Sequence, residues 1–192
     1  MPHTPSPGNA ATPSIPPMRL PHLEHIYRLV AAMAPASSAY EIPNIKGTGE
    51  SRSVAHIAGG TVSGARLVGK VVEGSGADWA VRVAAKRAFY HLDARYAIVT
   101  EDGHYILVNA KGVFRLGPGV PDTGREEPTV SQDEAEYFSH LTYEAPGDSP
   151  YGWMNGIVAV GVMTMWEEKV VIDAYRLTNF PGQQAEDLYV GR

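Results

Sequence analysis

Cysteine is absent from the 192 residues, which excludes disulfides, thiolate nucleophiles and cysteine-based zinc sites and suits a reducing compartment. A cytosolic location is the expectation. No apolar run approaches the ~20 residues that a membrane-crossing helix needs, and residues 1–17 mix small, polar and proline residues without the apolar stretch of a secretory leader. Neither a membrane partner nor secretion is expected. Positive charge is scarce as well: 16 Lys and Arg stand against 21 Asp and Glu, a net charge of -5, so nucleic acid finds no basic footprint. Familiar catalytic signatures are missing too. Gly74-Ser75-Gly76 begins like a dinucleotide fingerprint, but Trp79 holds the third glycine position, and neither a phosphate-binding Gly-Lys-Ser/Thr nor a Gly-x-Ser-x-Gly elbow occurs. None of the 7 histidines belongs to a His-Glu-x-x-His pair, and the odd separation of His22 and His25 sends them to opposite faces of a strand. No metal and no cofactor are expected.

What remains is proline at one end and β-forming residues elsewhere. Six of the 15 prolines fall within residues 1–17, a stretch with too little apolar surface to offset the entropy of ordering. The expected organisation is a disordered tail over 1–21, one barrel domain over 22–178 and a C-terminal tail over 179–192. Residues 23–30 read as a strand, and 35–53, rich in Ser, Pro, Gly and Asn, as a long surface loop and candidate lid. Further strands are expected at 54–57, 65–73, 79–83, 88–100, 104–114, 137–143, 156–165 and 169–177. Asp102-Gly103 supplies the backbone freedom of a tight hairpin between two of them. A single short helix is expected at 131–136, with Ser131 as its N-cap. Many short strands with few helices predict an all-β fold, a single antiparallel β-barrel, because closure removes exposed edges.

Alternation along the strands selects the candidate site residues. In 90–100, Tyr90, Leu92, Ala94, Tyr96 and Ile98 share an apolar face, and His91, Asp93 and Arg95 share a polar one. The ordinary structural reading is a solvated outer face with an Asp93–Arg95 ion pair; the functional reading turns Asp93 and Arg95 into a ligand cavity. In 137–144, Phe138, His140, Thr142 and Glu144 share a face. His140 and Glu144 would stand about 13 Å apart, too far for a dyad, yet histidine as a residue type suits proton transfer near neutral pH, which makes His140 a candidate. The alternative for His140 is a core histidine bonded to a backbone carbonyl. Tyr151, Trp153 and Asn155 fall on one face of an extended segment, fit to grip a flat oxygenated molecule or to cap the barrel end. Trp79 shares that ambiguity, and Arg115 at a strand end is a candidate anion or carbonyl clamp.

Gly59-Gly60-Thr61 with Gly64, Leu67-x-Gly69, Gly76-Ala77-Asp78-Trp79, Leu92-Asp93-Ala94-Arg95-Tyr96, Asp102-Gly103, Tyr137-Phe138 and Tyr151-Gly152-Trp153-Met154-Asn155 together resemble the family known as domain of unknown function 3237. The resemblance covers about 22–177. It implies a compact antiparallel β-barrel that often associates as homo-oligomers, without a general assigned activity. Ser139-His140 departs from the arginine common after Tyr-Phe in that family.

These readings converge on a cofactor-independent enzyme of small-molecule metabolism, in secondary metabolism by its class of substrate, performing isomerase, cyclase or lyase chemistry on an apolar, oxygenated metabolite. His140 or Asp93 would move the proton and Arg95 would polarise an oxygen. Trp79, Tyr96, Tyr105 and Trp153 would shape the cavity, with Arg115, Glu144, Tyr151 and Asn155 as further substrate contacts. The alternative is a non-catalytic barrel that carries a lipophilic small molecule, and a third reading is an interaction module whose proline-rich tail docks a partner.

Overall fold

A computed structural model describes residues 16–83, 89–121 and 129–184. Most of the proline-rich tail, and therefore its expected disorder, lies outside the described residues. Eleven strands form one antiparallel sheet: β1 (His22–Met33), β2 (Tyr40–Ile42), β3 (Ser51–Ser63), β4 (Val68–Val71), β5 (Gly76–Asp78), β6 (Val81–Val83), β7 (Phe89–Thr100), β8 (Tyr105–Leu116), β9 (Ala135–Glu144), β10 (Ala159–Trp166) and β11 (Lys169–Thr178). The order runs β1-β11-β10-β9-β8-β7, then β4, β5 and β6 in turn share one place between β7 and β3. β3 pairs back onto β1, so the sheet closes on itself as an eight-position barrel.

The strands follow from period-2 alternation. Along β9 the burial alternates without a break, with Ala135, Ser139, Leu141 and Tyr143 buried and Glu136, Phe138, His140, Thr142 and Glu144 exposed. The Asp102-Gly103 hairpin is present: Thr100 N–H donates to the His104 carbonyl, and Gly103 takes φ 89°. β10 and β11 are joined by Glu167 and Glu168, at φ 48° and 62°, left-handed positions that favour glycine or asparagine. Three expectations are corrected. The strand expected at 54–57 is longer, because β3 runs from Ser51 to Ser63 through Gly59-Gly60; a Cβ on Gly60 would stand 2.5 Å from the Val30 carbonyl oxygen, where β1 and β3 close the wall. The helix expected at 131–136 is one turn, since β9 begins at Ala135 and only Ser131 O accepts from Glu134 and Ala135 N–H. The segment at Tyr151 is not extended but a 3-10 turn, Gly152–Gly156. The 35–53 loop carries two short 3-10 turns and β2, which pairs with β3.

The interior has two unlike halves. At the end bearing the β7–β8 hairpin, Tyr27, Leu67, Ile98, Ile106, Tyr143, Tyr151, Trp153 and Met154 fill the barrel. Arg66 stacks on the Trp153 ring at 4.2 Å, and the Tyr151 hydroxyl donates to Asp102 Oδ1 at 2.9 Å. Asp102 also accepts from the Thr100 hydroxyl, and His104 Nδ1 lies 3.2 Å from its other oxygen. These partners, the Thr100 hydroxyl foremost, hold the Asp102 carboxyl down to about 2. The other half is hollow.

A folded value near 2 against an unfolded value of about 3.9 means that the charge on Asp102 stabilises the fold fully above about pH 4, and that this contribution fades as the pH falls towards 2. Calorimetric melts should show Asp102→Asn with a lower Tm than the parent at pH 6 and a gap that closes towards pH 2. A gap that stays constant across that range would mean the carboxylate charge does not fasten this end of the barrel.

Candidate functional site

The hollow half is a cavity that offers about 70 Å³ to the centre of a water molecule, several times the roughly 10–15 Å³ that one water requires. Small side chains create it. Ala31, Ala94, Ala110 and Ser139 occupy inward positions that larger residues would fill, and Leu29, Met33, Ile57, Val71, Leu92, Met163, Val170 and Ile172 supply an apolar wall. Against this wall stand a few polar groups, among them Asp78, Tyr137 and Ser139.

Asp78 ends the three-residue strand β5 and sits opposite Ala94 on β7 and Ala55 on β3. The Ala94 position faces the cavity, so the pairing turns Asp78 inward. Its Oδ1 accepts the backbone N–H of Asp93 at 3.0 Å. Burial raises its pKa above the ordinary carboxylate value, the Asp93 N–H pulls it partly back, and the negative charge of Asp93 raises it again. Tyr137, on β9 across the interior, has its own proton held more tightly by burial and by the charge of Asp78. Its ring continues an aromatic row, 5.2 Å from Phe114, which lies 6.1 Å from Tyr90. Ser139 is buried, and its hydroxyl approaches the Met163 sulfur at 3.9 Å. Deeper in, Tyr96 lines the cavity; its buried hydroxyl has no hydrogen-bond partner, and burial foremost, then the neighbouring Tyr27 phenol, pushes its pKa up. A carboxyl, a phenol and a hydroxyl thus line one apolar chamber, and groups of these kinds can hold a small molecule and exchange a proton with it.

The sequence-derived candidates fall in different places. Tyr96 lines the cavity. Asp93 and Arg95 do not; they stand on the outer face of β7 with side chains 37% and 56% exposed, their charged atoms 4.0 Å apart. The register that puts Leu92, Ala94 and Tyr96 inside puts His91, Asp93 and Arg95 outside. His140 is corrected in the same way: it is neither a cavity group nor a core histidine but an exposed residue opposite Lys111 on the outer wall. Glu144 and Tyr105 are also exposed, Tyr105 at 62%. Arg115 forms an exposed ion pair with Glu136. Tyr151 and Trp153 belong to the filled end, and Asn155 bridges the Ala145 N–H and carbonyl there, holding the turn. Trp79 lies outside the cavity wall, its carbonyl accepting from Arg52 at 2.7 Å.

Asp78, Tyr137 and Ser139 were not among those candidates. Asp78 and Tyr137 lie in segments that carried the family resemblance, Gly76-Ala77-Asp78-Trp79 and Tyr137-Phe138. A three-residue strand is too short for alternation to assign its face, so the side of Asp78 is decided by pairing with β7. Among the described residues no group of three or more His, Cys, Asp or Glu side chains is placed to hold a metal ion.

If small side chains make the cavity, filling it should cost little stability. Ala110→Leu is expected to hold Tm within a few degrees and to abolish uptake of small apolar probes. Ala159→Leu, at a fully buried position of the core away from the cavity, should overpack and destabilise by about 1–3 kcal/mol. Thermal melts of the two variants distinguish hollow from solid; equal losses would contradict a preformed cavity.

The family model described as "Protein of unknown function (DUF3237)" matches residues 21–177, and the chain belongs to this family. A UPF0311 protein of Rhodopseudomonas palustris is 30% identical over 156 residues, covering 80% of this chain and 95% of the relative. The solved β-barrel-like protein of Acinetobacter baumannii is 26% identical, with a TM-score of 0.69, covering 87% of this chain and 100% of that one. An enzyme from Penicillium herquei is 20% identical, with a TM-score of 0.61, covering 86% and 99%. At that identity the likeness is one of fold.

Proposed function

We propose that this family member is an enzyme of small-molecule metabolism that uses its own side chains to transfer a proton on an apolar, oxygenated substrate, as isomerisation, cyclisation or elimination requires. The observation that supports this most is the Asp78 carboxyl inside an otherwise apolar cavity, with the Tyr137 phenol lining the same chamber. A carboxyl whose proton affinity is raised by burial is a better base when ionised and stays closer to the working pH. Asp78 takes a proton from carbon or oxygen of the substrate and returns it at a second position. Tyr137 donates a hydrogen bond to the oxygen on which negative charge gathers, and the low-dielectric wall strengthens that bond. The apolar lining excludes competing water and selects ligands by shape. The barrel itself accommodates catalysis, since an enzyme of Penicillium herquei shares it.

The rival reading, a carrier of a lipophilic molecule, draws on the same apolar wall and requires no titrating group. Proton exchange on a small enolisable probe separates the two. With phenylacetone in deuterated buffer, the protein is expected to accelerate exchange of the protons next to the carbonyl. Asp78→Asn should remove about 100-fold of that acceleration and Tyr137→Phe about tenfold, with binding retained. Binding of the probe without any acceleration by the parent protein would favour the carrier.

A further inference from the structure

Asp93 poses a separate question. Its backbone N–H reaches through the wall to Asp78 Oδ1 at 3.0 Å, while its own carboxylate stands on the outer face of the same wall. That carboxylate keeps a buried oxygen, Oδ1, without a hydrogen bond. Arg95 Nε, at 4.0 Å, is beyond hydrogen-bond distance and balances the charge without quenching it. A buried, unbonded carboxylate oxygen is costly and calls for a physical reason. The reason offered by the geometry is electrostatic: the negative charge sits directly behind the group in the cavity, with strand backbone between them.

We propose that Asp93 and Arg95 act as an outer-face tuning pair that positions Asp78 and sets its proton affinity through the barrel wall. The inference rests on Asp78 being the acid–base group. Asp93 is the positioning residue, holding one Asp78 oxygen through its N–H and disfavouring the ionised form through its charge; Arg95 limits that effect. Other charged or titratable groups surround the same stretch of wall. His91 lies on β7, Lys111 lies opposite Asp93 on β8, Arg52 and His56 lie on β3, Arg82 lies on β6, and Tyr137 lies across the cavity on β9. Of the outer-face groups, Asp93 also bonds directly to Asp78.

The sign of each change follows. Removing the negative neighbour favours ionised Asp78, so Asp93→Asn lowers its titration midpoint; removing the positive neighbour leaves Asp93 unopposed, so Arg95→Gln raises it. Carbon-13 NMR of the aspartate carboxyls, with the Asp78 signal assigned by its loss in Asp78→Asn, reads this without turnover. Asp93→Asn is expected to weaken proton binding at Asp78 by about three- to tenfold, and Arg95→Gln to strengthen it by about threefold. Asp93→Glu, which keeps the charge, should restore a midpoint near that of the parent. The same midpoint in the parent, Asp93→Asn and Arg95→Gln would overturn the proposal, as would a shift of the same sign in both, which marks disturbed packing. Because the measurement needs no substrate, a failure of the catalytic reading appears separately, as Asp78→Asn leaving probe exchange untouched.

Discussion

The pairing of β1 with β3 closes the sheet, and the interior depends on that closure. β1 bonds β11 along one edge and β3 along the other, which closes the ring of eight positions. Once the wall is continuous, alternation is no longer a local tendency but a partition, with every second residue inside a fixed volume. The close approach demands a glycine where β3 passes Val30, and Gly60 supplies it. A shift in register at Ala32/Met33 lets the two strands stay paired while the wall bends.

Given that partition, the size of the inward residues decides what the barrel is. Where they are large, as at Tyr27, Ile98, Ile106, Trp153 and Met154, the end is solid and serves stability. Where they shrink to Ala31, Ala94, Ala110 and Ser139, space opens, and Asp78 borders it. The same wall thus provides a solid end and a chamber, and burial at the edge of the chamber raises the proton affinity of Asp78.

The β-barrel class, the Asp102-Gly103 hairpin and most strands were readable from alternation and turn residues, because those signals are local. The grouping of Leu92, Ala94 and Tyr96 on one apolar face was readable for the same reason. What alternation leaves open is which face is inward when both carry plausible chemistry, and Asp93, Arg95 and His140 show the consequence: their strands are regular, and one register placed all three outside. Asp78 was hidden for the opposite reason. Its strand has three residues, and its side is fixed by partners that are distant in the chain, Ala55 and Ala94. Trp153 and Asn155 looked like ligand contacts because aromatic and amide groups also suit a compact turn, and the structure uses them there.

The outer wall also touches the inner one at a single point. Asp93 and Asp78 lie on adjacent strands and opposite faces, joined by one hydrogen bond from the Asp93 backbone N–H, so a half-exposed carboxylate on the outer face stands behind a buried one on the inner face. The most direct measurement is a crystal structure of the protein soaked with phenylacetone. The expected result is the probe seated in the hollow half, with its carbonyl side towards Asp78 and Tyr137. A probe bound instead at the Tyr151–Trp153 end, or on the outer face beside Asp93 and His140, with the cavity vacant, would contradict the placement of the site.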